Sequence, residues 1–311
     1  MRPTNHLPLR SVSILAAVSA WSAGGVFTSA ETGGLETPPA VVRIENDEIQ
    51  ESSGLVRSRM RAGVFWTHND SGDRPRVFAI TRDGRTLAEF AVQGAQANDW
   101  EDIAIDDAGH LYLADVGNNE NRRRDLAVYR IPEPDPAGAS RAVTVDRVLR
   151  YRYADQTAFP EPGRTNFDAE AVFWHDGSIY ILTKHRTDTQ TTLYRLPDTP
   201  HEGERALSPI AQLDLGWSDR RKGNVTAADL SSDGRTLALL TYRFLLLYEV
   251  GGGGDELELR PLKRIELNPL VTRQAESVCW DGEGLLFGNE QRSLFRIADP
   301  RSDTFVRFPP E

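Results

Sequence analysis

The chain has 311 residues, of which 36 are Lys or Arg and 46 are Asp or Glu, so its formal net charge is −10. Hydrophobic residues make up 39% of it and run through its whole length, which excludes a collagen-like or wholly disordered chain. The acidic balance also argues against a nucleic-acid partner, because a phosphate backbone requires a basic protein surface.

The first 30 residues have the layout of a secretory signal peptide. Arg2 and Arg10 precede an uncharged apolar stretch at 11–26, and small residues suited to cleavage follow it. We therefore expect residues 1–30 to be removed on export to the periplasm or the medium. Residues 31–311 would then form one domain of net charge −12. An uncleaved anchor is the alternative, although the stretch is short and polar for about 30 Å of hydrocarbon.

A unit of four strands recurs about every 50 residues in the remainder of the chain. Each unit opens with small or acidic residues followed by an apolar one, and a short turn, which contains Asp and Gly in four of the five units, then leads into an apolar strand. The five openings are Ser53–Leu55, Glu101–Ile103, Glu170–Val172, Ala228–Leu230 and Glu276–Val278. Because no amphipathic helix is evident, the pattern predicts an all-β fold, a β-propeller of four-stranded antiparallel blades.

Five blades are predicted, and six are the alternative because the same length divides into six units of about 47 residues. We expect the strand at 41–45 to close the ring by pairing with the last blade, whose fourth strand is expected at 304–308. Residues 154–167 are interpreted as a loop and 251–254 as a hairpin tip. Cys279 has no partner for a disulfide and is expected to be a buried thiol.

The innermost strands of a propeller place equivalent residues in a ring around the central channel. Here the ring is predicted to comprise Ser53, Glu101, Glu170, Ala228 and Glu276. Three carboxylates on one axis repel each other unless a cation or protons neutralise them. Oxygen donors favour a hard divalent cation, Ca²⁺ before Mg²⁺ or Mn²⁺, so Glu101, Glu170 and Glu276 are predicted metal ligands. The alternative is a water-filled channel whose acids are solvated or paired with arginines.

Polar loops after the second strands are expected to reach the same end of the channel. The residues singled out there are Asp70, Asp115 and His185 as catalytic groups and His68, Lys184 and Arg243 as substrate-binding groups. Asp70 or Asp115 would orient or deprotonate a water, and the basic groups would neutralise an anionic substrate. Taken singly, each of these Asp residues is better explained as a turn residue, whereas the set as a whole is not.

Three segments carry a family resemblance: WTHNDSGD at 66–73, DWEDIA at 99–104 and YRIPEP at 129–134. They resemble a family of secreted bacterial β-propeller proteins, most of them uncharacterised, over nearly the whole mature chain. The strand openings are more loosely similar to those of phytase-like esterase and regucalcin/gluconolactonase-type propellers. That similarity implies a divalent ion at the channel mouth with Glu101, Glu170 and Glu276 as ligands, although Ser53 and Ala228 depart from the pattern.

The predicted function is therefore metal-assisted hydrolysis of an anionic small molecule, a phosphoester or a lactone, by an exported monomeric propeller. The alternative is a non-catalytic module that holds a glycan or a protein partner, with an ion that is at most structural. No nucleophile elbow, Walker loop, dinucleotide fingerprint or zinc-protease motif occurs in the sequence. No stretch beyond the signal peptide is long and apolar enough to predict a membrane span.

Overall fold

The computed structural model describes residues 40–215 and 223–302. The predicted signal peptide and the strand expected at 304–308 lie outside these ranges. Within them the chain forms 22 strands, one short α-helix, α1 (Pro269–Thr272), and one 3₁₀ turn (Gly254–Glu256). None of the helices in these ranges has the length and apolar character that crossing a membrane requires.

The strands form five sheets, which are the blades of a propeller, so the predicted fold and blade number are confirmed. The chain starts with β1 (Ala40–Arg43), and blade 1 follows with β2 (Ser52–Arg57), β3 (Phe65–Asn69), β4 (Arg76–Ile80) and β5 (Thr86–Gln93). Blade 2 comprises β6 (Trp100–Ile105), β7 (His110–Asp115), β8 (Ala127–Pro132) and β10 (Arg147–Tyr153), with β9 (Ala142–Thr144) preceding β10 in sequence.

Blade 3 comprises β11 (Asp168–His175), β12 (Ser178–Lys184), β13 (Gln190–Pro197) and β15 (Pro209–Asp214), with β14 (Glu204–Leu207) preceding β15 in sequence. Blade 4 comprises β16 (Val225–Leu230), β17 (Thr236–Thr241), β18 (Phe244–Gly251) and β19 (Glu258–Glu266). Blade 5 comprises β20 (Ala275–Asp281), β21 (Gly284–Asn289) and β22 (Ser293–Ile297). The first strand of every blade is innermost and contacts the first strands of both neighbouring blades.

The hydrophobic core lies in layers between adjacent blades. Trp66 and Leu113 pack in the layer between blades 1 and 2, and Cys279 is fully buried in the layer between blades 5 and 1. Because both faces of a blade are covered, strands such as β17 are apolar and buried throughout instead of alternating. This explains the continuous apolar runs in the sequence.

The ring is closed by β1, which pairs antiparallel with β22 and places Val42 opposite Leu294. This pairing confirms the predicted closure by the first strand, and it supplies the outer strand of blade 5. Closure of this kind hides the sheet edge that the last blade would otherwise expose.

Two short strands, β9 and β14, each join the sheet of the preceding blade and not the sheet of the strands next to them in sequence. β9 pairs in parallel with β5 of blade 1, and β14 pairs in parallel with β10 of blade 2. Each comes from the connection between the third and fourth strands of the following blade. The sequence analysis did not predict these strands, which cover the outer edges of blades 1 and 2.

Candidate metal centre

Each innermost strand has a β-bulge near its start, where one residue has no partner on the second strand. The bulged residues are Ser53, Glu101, Glu170, Thr226 and Glu276. Four of them are predicted ring residues, but on blade 4 the equivalent position is Thr226, so the prediction of Ala228 was wrong by two residues. A bulge redirects a side chain relative to the regular alternation of a strand, which accounts for the shared placement of these residues.

One end of the channel carries a cluster of carboxylates, which we call the acidic mouth. Its members are Asp70, Asp99, Glu101, Asp168 and Glu170. They meet because the start of an innermost strand lies beside the end of the second strand of its blade, as the pairings of Trp100 with Asp115 and of Asp168 with Lys184 show. Blades 1, 2 and 3 all contribute to this cluster.

The acidic mouth divides into two sets of three carboxylates that share Glu101. Oxygens of Asp70, Asp99 and Glu101 lie within 4.8 Å of one another, and so do oxygens of Glu101, Asp168 and Glu170. We call these the first and second triads. Oxygen atoms at this spacing can share one hard cation.

Among the described residues, no basic side chain forms an ion pair with the first triad. Glu101 is only 4% exposed, and within the described ranges its carboxylate has neither a hydrogen bond nor an ion pair. Burial, together with the neighbouring Glu170 and Asp70 carboxylates, raises the pKa of Glu101 well above its ordinary value. Burial and the Asp70 carboxylate raise the pKa of Asp99 to about 6. Carboxylates in this state favour uptake of a proton or a cation.

Gly117, in the loop after β7, lies directly beneath the first triad. A Cβ at this position would overlap with Glu101 Oε1 and Asp99 Oδ2, so only glycine allows both carboxylates to lie against the main chain. The Gly117 N–H also donates a 3.1 Å hydrogen bond to the carbonyl of Asp99. The loop therefore holds the two carboxylates close together.

The second triad, in contrast, is paired with basic side chains. Lys184 Nζ lies 2.9 Å from Glu170 Oε1 and donates a 3.0 Å hydrogen bond to the Tyr242 hydroxyl. Arg186 binds the Asp168 carboxylate through Nε at 3.1 Å and also through its terminal nitrogen. Although burial lowers it, the Glu170 carboxylate keeps the pKa of Lys184 above its ordinary value.

Glu276, the third predicted ligand, belongs to neither triad in the part of the chain that the structure describes. It is half-buried, and burial raises its pKa to about 8, although the positive charge of Lys184 acts to lower it. At neutral pH its carboxyl group therefore carries a proton in the metal-free protein.

The remaining predicted groups lie around the mouth and contact other protein groups. Asp115 accepts a 3.0 Å hydrogen bond from the Asp99 N–H and lies 2.9 Å from Arg123, so it supports the segment that carries Asp99. His185 is buried, with Nδ1 2.6 Å from Asp188 and Nε2 2.9 Å from the Thr192 hydroxyl.

His68 and Arg243, the two remaining residues predicted to bind substrate, also contact other protein groups. His68 is buried edge-on against Trp100 at a centroid distance of 5.5 Å, and its Nδ1 lies 2.9 Å from the Asn69 carbonyl. Arg243 donates hydrogen bonds of 3.0 and 2.7 Å to Glu266. Of the predicted site residues, the structure thus brings Asp70, Glu101, Glu170 and Lys184 together in one cluster.

Asp99 and Asp168 were not among the ligands predicted from the sequence. Each lies two residues before a bulged glutamate, in the segments Asp99-Trp100-Glu101 and Asp168-Ala169-Glu170. The same Asp-x-Glu spacing on two successive blades was the available signal. Blades 1, 4 and 5 do not have this spacing, so it does not stand out as a repeat shared by all five blades.

Comparison with protein-family models yields no match, and neither does comparison with curated proteins. Among solved structures, the major allergen Mala s 1 of Malassezia sympodialis is similar with a TM-score of 0.51 and 9% identity, over 80% of this chain and 93% of that one. The likeness shows the fold alone. The chain is a five-bladed β-propeller.

Two bacterial structures are similar at lower TM-scores. Virginiamycin B lyase from Staphylococcus aureus has a TM-score of 0.38 and 14% identity, over 81% of this chain and 67% of that one. A putative 6-phosphogluconolactonase from Bacteroides uniformis has a TM-score of 0.40 and 12% identity, over 88% and 72%. At such distances the activities of these proteins say nothing about this chain.

Proposed function

We propose that this propeller is a divalent-cation-dependent hydrolase of small anionic molecules, a phosphoester or a lactone. The cation, Ca²⁺, is bound by Asp70, Asp99 and Glu101. The observation that carries the proposal is the first triad, in which three carboxylates converge without an ion pair in the described ranges and Glu101 is more than nine-tenths buried. A donor set made of carboxylate oxygens selects a hard cation.

This ligand set differs from the one predicted from the sequence. Glu101 is retained, whereas Asp70 and Asp99 replace Glu170 and Glu276. The change follows from the ion pair between Glu170 and Lys184, because a carboxylate already paired with an ammonium group is a poorer ligand. The glycine at 117 also suits the first triad, since it makes room for two of its three carboxylates.

The surrounding residues suit hydrolysis of an anionic substrate. A bound divalent cation polarises a substrate oxygen or lowers the pKa of a water. Arg186, whose side chain is 32% exposed, presents positive charge at the mouth to an incoming anion. Glu276, whose pKa is raised to about 8 by burial in the metal-free protein, would supply the proton for a leaving group.

Export through the signal peptide at 1–30 is part of the proposal. An extracellular calcium site commonly has a dissociation constant of about 10⁻⁴–10⁻³ M, which is the range expected here. Sequencing the N-terminus of the protein recovered from the periplasm or the medium tests this part, and an intact Met1 would contradict it.

A binding module with a structural ion is the second candidate. It is favoured by the ion pairs of Lys184 with Glu170 and of Arg186 with Asp168, because basic groups neutralised by the protein attract an anionic substrate less strongly. In this case the mouth would hold a glycan or a protein partner without chemistry.

Calorimetric titration with Ca²⁺ tests the site, with Glu101→Gln as the variant and the exposed Glu202→Gln as its matched control. Binding to wild type and control that weakens by about tenfold or more in Glu101→Gln supports the site. A panel of phosphoesters and lactones, assayed with Ca²⁺ and with EDTA, then tests catalysis. Binding without hydrolysis favours the binding module, and no binding to wild type rejects the metal centre.

A further inference from the structure

Lysine is rare in this protein, and one of its few lysines lies buried beside the channel. Only three of the 36 basic residues are lysines: Lys184, Lys222 and Lys263. Lys263 lies on an outer strand, β19, where its ammonium group donates to the carbonyl of Ser302. Lys184, at the C-terminal end of β12, is 6% exposed. Lys263 is 4% exposed, so both described lysines are buried and only Lys184 is paired with the acidic mouth. In a chain that otherwise uses arginine, a buried lysine at this place calls for a physical reason.

The Lys184 ammonium group lies at the second triad. Its nitrogen is 2.9 Å from Glu170 Oε1 and 3.0 Å from the Tyr242 hydroxyl. An ammonium is a compact point charge with three donors, whereas a guanidinium is a broad planar group. Among side chains, lysine therefore comes closest to a small spherical cation set among oxygen atoms.

The two triads differ in whether basic side chains form ion pairs with them. Both consist of three carboxylates and share Glu101, but only the second has basic partners in the described ranges. Arg186 lies 3.8 Å from Glu170, beyond hydrogen-bond distance, and is bound to Asp168 instead. The counter-charge within hydrogen-bond distance of Glu170 is thus supplied by Lys184.

We propose that the Lys184 ammonium group, by pairing with Glu170, prevents a second divalent cation from binding at Glu101, Asp168 and Glu170. The mouth then binds one ion at the first triad, and Lys184 excludes another by neutralising Glu170 and by repulsion between like charges. Without Lys184, Glu101 would bridge two ions. The inference rests on the proposed metal centre and adds that the number of ions is set by this residue.

Counting bound ions in Lys184→Ala tests the inference, because alanine removes the charge and leaves space. Calorimetric titration with Ca²⁺ is expected to give one more ion per chain in Lys184→Ala than in wild type. The double variant Lys184→Ala/Glu170→Gln removes one ligand of the vacated triad and should return to the wild-type number. Lys263→Ala, a lysine remote from the mouth, should not change it. Equal numbers in Lys184→Ala and wild type would overturn the inference.

Lys184→Ala leaves Glu170 buried without its partner, so its folding is monitored by thermal unfolding in EDTA and in excess Ca²⁺. The rise in Tm caused by Ca²⁺ should be larger for Lys184→Ala than for wild type, and the uncharged Lys184→Gln should behave in the same direction. Equal rises in wild type and both variants would contradict the inference. The absolute number of ions in wild type tests the metal centre, whereas the difference between variant and wild type tests the role of Lys184.

Discussion

The carboxylate of Asp102, on blade 2, accepts a 3.1 Å hydrogen bond from the backbone N–H of Ala228, on blade 4. The same oxygen accepts a 2.9 Å bond from the N–H of Val172 on blade 3. Ala228 and Val172 occupy equivalent positions, each two residues after a bulge. One fully buried side chain thus links three blades across the channel.

Replacement of Asp102 by alanine should destabilise the propeller. Three buried N–H groups, those of Ile103, Val172 and Ala228, would lose this acceptor, and the expected loss is about 2–5 kcal/mol of unfolding free energy. Urea denaturation measures it. Asp107→Ala, at an exposed turn after the same strand, should cost less than about 0.5 kcal/mol. Similar losses in the two variants would show that the link across the channel contributes little.

Substitution of Gly117 by alanine should weaken cation binding more than it weakens the fold. The added Cβ would collide with the ends of Glu101 and Asp99, which can swing away at little cost in stability but then lose their joint geometry as ligands. We expect Ca²⁺ affinity to fall by about tenfold or more, measured by calorimetry. Gly251→Ala, where a Cβ would meet open space, is the control. Unchanged affinity in Gly117→Ala would place the ion elsewhere.

Stability without metal should fall as the pH rises from about 5 to about 8. Burial raises the pKa of Glu276 to about 8 from an ordinary value of 4.5, so the folded chain binds this proton more tightly than the unfolded chain. The resulting stabilisation is complete below the unfolded pKa and is lost as the pH passes the folded one. The Tm measured in EDTA should show this decline.

The Glu276→Gln variant isolates the contribution of this carboxyl group, since glutamine cannot titrate. Its Tm should depend less on pH over the same range, while Glu202→Gln should follow the wild type. Parallel profiles for Glu276→Gln and wild type would mean that other groups cause the decline.

Removal of β1 should open the ring. A chain that starts at residue 46 lacks the strand that covers β22, and the edge beside Leu294 becomes free to pair with other chains. We expect the Tm to fall by at least about 4 °C and aggregation to increase, as checked by thermal unfolding with light scattering. A chain that starts at residue 38 keeps β1 and is the control. The same Tm in both would show that closure does not depend on this strand.

The fold was predictable because its signals are local. Apolar runs such as β17 and the Asp–Gly turns between strands mark each blade without reference to the rest of the chain. The strands β9 and β14 were not predictable in this way, since they are short and pair in parallel with strands about 50 residues away. The position of Thr226 was missed because a bulge shifts the register without changing the apolar pattern.

For the candidate site, the sequence by itself determined that acidic residues recur at the starts of the innermost strands and that Glu101 and Glu170 face the channel. The tertiary structure decided which of them have partners, because Lys184 neutralises Glu170 while Glu101 meets Asp70 from blade 1 and Asp99 from blade 2. Ion pairs and ligand sets depend on distances of a few ångströms between blades. Residues far apart in the chain reach those distances only when the ring closes.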